Sequence, residues 1–175
     1  MGMPKMLSNS ELKNPYQYLA PRFVEQDPSE VENAIWLDSL ADWKIALTLT
    51  FTDRKFSGNH RFHGDLVKTT KFLITRINGC CFGHGAKRKK YRVASAFTVE
   101  CGYDGSHPHV HASLSLPPGY SFERFRKIIL RECYKLHSIA NQIDVQPYRD
   151  FGWQMYCLKT GIENLVVEEI KEANP

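Results

Sequence analysis

The stretch FTVECGYDGSHPHVHASLSL, residues 97–116, places two alternating segments on either side of the dipeptide Asp104-Gly105. An Asp-Gly pair in this setting predicts a β-hairpin, because both residues tolerate the positive φ angles of a tight turn. The second segment carries His109 and His111 at alternate positions. Because side chains alternate across a strand, both histidines lie on one face, and the apolar residues between them fill a core on the other face.

The register of this hairpin follows if the dipeptide is the centre of the turn. Glu100 then lies opposite His109, and Thr98 lies opposite His111. A shift of one residue would move Glu100 to the core face, where an unpaired carboxylate is costly. The sequence therefore predicts a metal site made of Glu100, His109 and His111. A mixed nitrogen and oxygen ligand set of this kind suits Mn²⁺ or Mg²⁺, and zinc remains an alternative.

A different interpretation of the same residues stays open at this point. A His-x-His triplet is common by chance, so the hairpin can be an exposed one with an incidental Glu–His pair. His107 stands directly before Pro108. We interpret it as a loop residue, although it is also available as a spare ligand.

The pattern of apolar residues around the hairpin predicts a β-α-β-β-α-β order. The expected strands are 44–51, 93–101, 109–116 and 143–148, and the expected helices are 64–79, 121–137 and a final one at 149–161. This order is typical of the α+β, ferredoxin-like or RRM-like fold, an antiparallel sheet with helices on one face. We expect residues 1–43 to be an N-terminal extension with a helix, 44–162 to form the main domain, and 163–175 to be a short, acidic, helical tail.

Composition narrows the class of protein. The chain has 175 residues, of which 42% are hydrophobic and 24% charged, as is typical of a soluble globular protein. The formal net charge of +4 favours anionic partners only weakly. Five cysteines without C-x-x-C spacing favour reduced thiols in a cytosolic protein over a disulfide framework. The sequence shows neither a signal peptide nor an apolar run that could span a bilayer, so we expect no membrane association.

The segment FGWQMYCLK, residues 151–159, places Tyr156 three residues before Lys159. Residues with this spacing share one face of a helix. A phenol oxygen that loses its proton is a covalent nucleophile, and a neighbouring ammonium both favours the phenolate and can contact a phosphate oxygen. A helix that only packs its apolar residues would show the same pattern, because a Tyr-x-x-Lys pair is common in chains of this size.

Together these features resemble the HUH endonuclease superfamily, and in particular its single-tyrosine rolling-circle replication initiators, the Rep proteins. Three motifs of that family have counterparts here, in the family's order: ALTLTF at 46–51, His109-Val110-His111 with Glu100 one hairpin before it, and Tyr156-x-x-Lys159. The resemblance covers roughly residues 44–162. It depends on the order and context of the motifs more than on any single one.

The resemblance implies site-specific nicking and joining of single-stranded DNA. Mn²⁺ or Mg²⁺ would polarise the scissile phosphate, and Tyr156 would attack it to leave a 5′-phosphotyrosine and a free 3′-OH. This reaction starts the rolling-circle replication of a plasmid, phage or virus. The implied main partner is single-stranded or hairpin origin DNA. Many viral Reps carry a superfamily-3 helicase after this domain, which the sequence does not show, so two alternatives stay open: a nickase domain of a longer protein, or a small Rep that uses a host helicase. The implied location is the cytoplasm of a prokaryotic host, or the nucleus for a eukaryotic virus.

The densest basic run, KRKKYR at 87–92, is expected to contact DNA phosphates, with Tyr91 stacking on a base. The full set of predicted DNA contacts is Thr48, Thr50, Lys87, Arg88, Lys89, Lys90, Tyr91 and Arg92. A solvated basic loop is the alternative. Two other functions also stay open: a transposase or relaxase of the same superfamily, and an RRM-like nucleic-acid-binding module. The latter would carry aromatic residues on the open sheet face, where this chain has Thr, Glu and His.

Overall fold

A computed structural model describes residues 28–52, 61–89, 91–100 and 108–168. The elements in chain order are α1 (Pro28–Ser39), β1 (Trp43–Phe51), α2 (Arg61–Phe82), α3 (His84–Arg88), β2 (Ser95–Glu100), β3 (His109–Ser115), α4 (Phe122–Tyr134), β4 (Ile139–Pro147), α5 (Gly152–Cys157), a 3₁₀ turn (Ile162–Asn164) and β5 (Leu165–Glu168). This confirms the predicted α+β class and the predicted β-α-β-β-α-β order with its final helix, to which the structure adds the short helix α3 in the basic segment before β2. None of the described helices is both long and apolar enough to cross a membrane.

The five strands form one sheet in the order β4-β1-β3-β2-β5, and every neighbouring pair is antiparallel. β5 is a correction to the expected helical tail, because Leu165–Glu168 pairs with β2 as an edge strand. Two physical reasons account for the strand. Its sequence, LVVE, contains adjacent β-branched valines. The outer edge of β2 also offers backbone groups that need hydrogen-bond partners.

The core lies between one face of the sheet and the helices α2 and α4. Side chains at alternate positions of β1 point into it, as the alternation of the sequence predicts. The largest fully buried members include Ile45 and Leu49 of β1, Phe97 of β2, Leu73 of α2 and Phe125 of α4. Each such side chain contributes about 1.5–3 kcal/mol on burial, and more of the described apolar residues are buried on this face than on the other.

Helices lie on both faces of the sheet, which corrects the expectation that they lie on one. A second buried cluster joins Val31, Ala34 and Leu37 of α1 to Met155 of α5 and to Leu158 just beyond it. These residues pack with Ala94 and Ala96, whose small side chains leave room for a helix above the sheet. The second layer matters for function because it places α5 across the face that carries the histidines.

Candidate metal and tyrosine site

The hairpin of β2 and β3 has the register that the sequence predicts. Glu100 pairs with His109, and Thr98 pairs with His111. Antiparallel partners share a face, so these four side chains lie on the side of the sheet opposite the main core. The Asp-Gly turn and His107 lie outside the described residues, and their roles stay predictions.

Glu100, His109 and His111 form a cluster that could bind a metal ion. Each offers one ligand atom, and these atoms all lie within 4.8 Å of one another. Glu100 Oε2 lies 2.8 Å from His109 Nε2 and 3.7 Å from His111 Nε2. The side chains of Glu100 and His111 are only 5% and 2% exposed, whereas that of His109 is 28% exposed. The cluster is therefore buried on one side and open on the side of His109.

Two buried atoms indicate that a metal ion would fit this cluster. Glu100 Oε1 and His111 Nε2 are shielded from solvent and make no hydrogen bond within the described part of the chain. A buried polar atom without a partner costs about 1–3 kcal/mol, a cost that coordination to a cation removes. Burial, followed by the charges of His109 and Lys159, lowers the pKa of His111 to about 3. The imidazole is then neutral at physiological pH, as a metal ligand must be.

Thr48 of β1 lies on the other side of the His111 ring. Its Oγ1 is 3.0 Å from His111 Nδ1. A proton on Nδ1 shared with this hydroxyl leaves the lone pair on Nε2, the nitrogen that faces Glu100. Thr50, the next residue on the same face, pairs with His109 and is partly buried. Both threonines were predicted as DNA contacts, and the structure shows that Thr48 is hydrogen-bonded to a candidate metal ligand.

The structure brings Tyr156 and Lys159 to the metal cluster. The centroids of the Tyr156 and His111 rings are 4.7 Å apart, and the tyrosine is 45% exposed. Lys159 Nζ lies 3.9 Å from the centroid of the Tyr156 ring and 3.0 Å from Glu100 Oε2. α5 ends at Cys157, so Lys159 follows the helix rather than lying within it. One phenol, one ammonium and the three ligands thus share one site.

The charge of Lys159 is favoured by these neighbours. Burial acts to lower the pKa of its amine, but hydrogen bonds with Tyr156 and Glu100 outweigh burial and hold that pKa above its usual value. The side chain is therefore an ammonium at physiological pH. A fixed positive charge beside a phenol stabilises the phenolate and any anion bound next to it.

A groove of about 650 Å³ opens beside Tyr156, between β4 and α5. Its lining residues are Ala46, Asp144, Gln146, Pro147, Arg149, Asp150, Gly152, Trp153, Met155, Tyr156 and Lys159. The Trp153 ring centroid lies 5.7 Å from the centroids of both His111 and Tyr156. Trp153 was not singled out from the sequence. Its signal was its position three residues before Tyr156, which puts both on one helix face.

The basic run is not brought to the metal cluster. Lys87 and Arg88 end α3, and Lys89 follows it, all three exposed. α3 precedes the first residue of β2, whereas Glu100 is the last. The strand has six residues, which separates its two ends by roughly 17 Å.

The other residues of the run have different surroundings. Tyr91 packs against Phe82 and over Gly85, with its ring centroid 6.1 Å from that of Phe82. Arg92 donates hydrogen bonds to the carbonyl oxygens of Ala86 and Tyr91. Both side chains thus hold the loop that follows α3. Lys90 lies outside the described residues.

Comparison with known proteins does not assign the chain to a family. No family model matches it, and no curated protein or solved structure shows significant similarity to it.

Proposed function

We propose that the protein is a metal-dependent endonuclease and strand transferase that nicks and rejoins single-stranded DNA through Tyr156, as Rep proteins of the HUH superfamily do. One observation carries this proposal. Tyr156 lies against His111 with ring centroids 4.7 Å apart, while Lys159 lies 3.0 Å from Glu100. A nucleophile, a cation and a candidate metal cluster from distant parts of the chain share one partly open site, as phosphoryl transfer requires.

The proposed metal is Mn²⁺ or Mg²⁺, held by Glu100, His109 and His111. One carboxylate with two imidazoles is a ligand set that these ions accept, with positions left open for phosphate oxygens. A divalent ion bound there would polarise the scissile phosphate and stabilise the negative charge that develops on it. Thr48 supports this role because it fixes the orientation of the His111 ring.

Tyr156 and Lys159 each have one role in the proposed chemical step. The Tyr156 oxygen, after loss of its proton, attacks the phosphorus, and the bond from phosphorus to the 3′ oxygen breaks. The leaving 3′ oxygen takes up a proton and becomes a free hydroxyl, while the 5′ phosphate stays bonded to Tyr156. The Lys159 ammonium stabilises the phenolate before attack and the phosphate oxygens during it. Attack by a 3′-OH on the phosphotyrosine reverses the step and joins strands.

The groove between β4 and α5 is the proposed binding place for DNA next to the scissile phosphate. Its volume of about 650 Å³ lies in the range of ordinary ligand sites. Trp153 lines it beside Tyr156, and base stacking on such a ring is the usual mode of sequence-tolerant binding to single strands. Arg149 adds a positive charge for the backbone.

In this proposal the natural substrate is single-stranded or hairpin origin DNA, and nicking starts the rolling-circle replication of a plasmid, phage or virus with a host helicase. The compartment is then the cytoplasm of a prokaryotic host, or the nucleus for a eukaryotic virus. A transposase or relaxase of the same superfamily would use the same chemistry.

The test is a covalent adduct. The purified chain is incubated with a random-sequence single-stranded DNA pool labelled at the 3′ end and with Mn²⁺, and the products are separated on a denaturing gel. We expect a labelled protein band, because the fragment that carries the label keeps its 5′ phosphate on Tyr156. EDTA should abolish the band, and Tyr156→Phe should remove it.

Two further variants test whether the labelled band depends on Tyr156 in particular and on the candidate metal ligands. Tyr134→Phe, at an exposed tyrosine of α4, should leave the band unchanged. His109→Ala should lose the band while keeping most of the binding to the same DNA. A band that persists in Tyr156→Phe would refute the assignment of the nucleophile, and full nicking by His109→Ala would refute the role of the cluster.

A further inference from the structure

α5 carries a buried amide among its apolar contacts. Gln154 is 0% exposed, although it lies only two residues before the exposed Tyr156. A buried amide is costly unless it is hydrogen-bonded. The hydroxyl of Ser113 supplies such a bond, since Ser113 Oγ donates to Gln154 Oε1 over 3.1 Å. Ser113 is 1% exposed and lies on β3, two residues beyond His111 on the same face.

This bond is directional, whereas the apolar contacts that pack α5 against α1 and the sheet are not. The helix has six residues, too few for its own hydrogen bonds to hold it in water. Met155 and Leu158 pack it against α1 and the sheet, but apolar contacts permit rotation about the helix axis. The bond from Ser113 to Gln154 opposes that rotation. Because the helix is rigid between the two residues, it also fixes the direction in which Tyr156 leaves the backbone.

The contact continues to the first helix. The Gln154 side chain lies close to the Tyr148 hydroxyl, but its buried amide nitrogen makes no hydrogen bond within the described part of the chain. The Tyr148 hydroxyl donates a hydrogen bond to the Asp38 carboxylate on α1. Burial and the bond to Asp38 raise the pKa of Tyr148 above its usual value, and the Gln154 amide acts against them. Within the described residues, the bond from Ser113 is thus the hydrogen bond that ties the Gln154 side chain to the sheet.

We propose that Gln154 is the positioning residue of this site: its hydrogen bond with Ser113 sets the rotation of α5 over β3 and so holds Tyr156 against His111. The consequence for nicking rests on the proposed function. The positioning itself is a property of the metal-free protein, so the two can be tested separately.

The first measurement needs no activity. In the wild-type protein the ring protons of Tyr156 and His111 should show a nuclear Overhauser effect, because their centroids are 4.7 Å apart. Gln154→Leu, which keeps the volume and removes the amide, should weaken or abolish this effect, and Ser113→Ala should do the same. Gln142→Leu, at an exposed glutamine of β4, is the matched control and should retain it.

The second measurement is kinetic. Gln154→Leu should lower kcat for nicking about tenfold or more, because a small misplacement of a nucleophile is costly, while KM stays within about twofold. Ser113→Ala should lower kcat similarly, and the double variant should be no slower than the slower single one, since both changes break the same bond. Mn²⁺ affinity should not change, because neither residue contacts the cluster's ligand atoms.

The outcomes are distinct. An unchanged Overhauser effect in both Gln154→Leu and Ser113→Ala would overturn the proposal, as would kcat losses that multiply in the double variant. If Gln154→Leu does not fold, as judged by its melting curve, Ser113→Ala alone decides. A wild-type protein that forms no DNA adduct but loses the effect in both variants would refute the proposed function and leave the positioning role supported.

Discussion

The hydroxyl of Thr48 meets the His111 ring on the nitrogen that does not face the cluster, at 3.0 Å. A histidine ligand whose second nitrogen is hydrogen-bonded keeps one tautomer and one ring orientation. His111 is nearly fully buried, so water cannot replace this partner. The contribution of Thr48 to the site is therefore separable from any contact that it makes with DNA.

Thr48→Val tests this contribution, because valine keeps the shape of the side chain and removes the hydroxyl. We expect Mn²⁺ affinity to fall about 10-fold to 100-fold, the usual effect of losing such a partner. Isothermal titration of the DNA-free protein with Mn²⁺ measures it. Thr75→Val, at an exposed threonine of α2 that bonds only to its own helix backbone, is the control and should bind Mn²⁺ as the wild type does. Equal affinity in Thr48→Val and the wild type would contradict the orienting role.

The residues of the site differ in how far the sequence could identify them. The grouping of Glu100, His109 and His111 follows from local rules, since strand alternation and one turn dipeptide determine which side chains share a face. Gln154 and Trp153 could not be identified in this way. Their roles depend on where a short helix lies over the sheet, and that position is set by contacts between segments far apart in the sequence.

Helices α2 and α4 are joined on the core side of the sheet by a buried carboxylate. Glu132 of α4 is 1% exposed and forms ion pairs with Arg76 of α2 at 2.7 Å, Arg131 at 3.0 Å and Lys135 at 2.7 Å. Burial acts to raise the pKa of Glu132, but hydrogen bonds from Lys135, Arg76 and Arg131 outweigh it and lower this pKa to about 2. The carboxylate is thus stabilised as an anion in the folded state.

The lowered pKa of Glu132 makes the free energy of unfolding depend on pH. A carboxylate whose folded pKa is lowered contributes stability above its unfolded pKa, about 4.3, and loses it as the pH falls towards 2. Glu132→Gln should therefore lower the free energy of unfolding by about 2–3 kcal/mol at pH 7 and by much less near pH 2. Urea unfolding at several pH values measures both. Glu32→Gln, at an exposed glutamate of α1, is the control. If the loss of unfolding free energy in Glu132→Gln does not become smaller as the pH falls towards 2, the ion pairs of Glu132 are not its cause.

At the level of elements, the sequence predicts strands and helices better than the layers into which they pack. The alternation in β1 and the helical spacing in α4 are local patterns, and both elements form as expected. β5 and the second helical layer were not expected. Both depend on tertiary contacts. β5 pairs with an edge of β2 that would otherwise lack a partner, and small residues such as Ala96 leave space for α1 and α5 above the sheet.

Across the whole molecule, the candidate chemistry and the basic α3 lie at opposite ends of the sheet. Glu100 ends β2 beside His109 and His111, its partners in the candidate metal site, while Lys87 and Arg88 end the helix that precedes the start of this strand. The ends of β2 are roughly 17 Å apart, which corresponds to about five nucleotides at the 3.4 Å rise of a stacked strand and to fewer nucleotides of an extended single strand. A DNA strand bound at Tyr156 reaches α3 only if it extends well beyond the scissile phosphate.

DNA length should therefore decide whether α3 contributes to binding. We expect the double variant Lys87→Ala/Arg88→Ala to bind labelled oligothymidylate of about 3 nucleotides as the wild type does, because this length is too short to span roughly 17 Å even if all of it lies on one side of Tyr156. Binding of about 30 nucleotides should weaken several-fold, and the slope of log K against log salt should become shallower by about 1.4, as expected for two lost phosphate contacts at about 0.7 each. Fluorescence anisotropy in EDTA measures the affinity and its salt dependence without cleavage.

The charge-matched double variant Lys68→Ala/Lys127→Ala, at exposed lysines of α2 and α4, separates the loss of a local contact from a change in net charge. Equal losses in the two double variants, or a loss with the short oligonucleotide, would show that α3 is not a distant DNA contact.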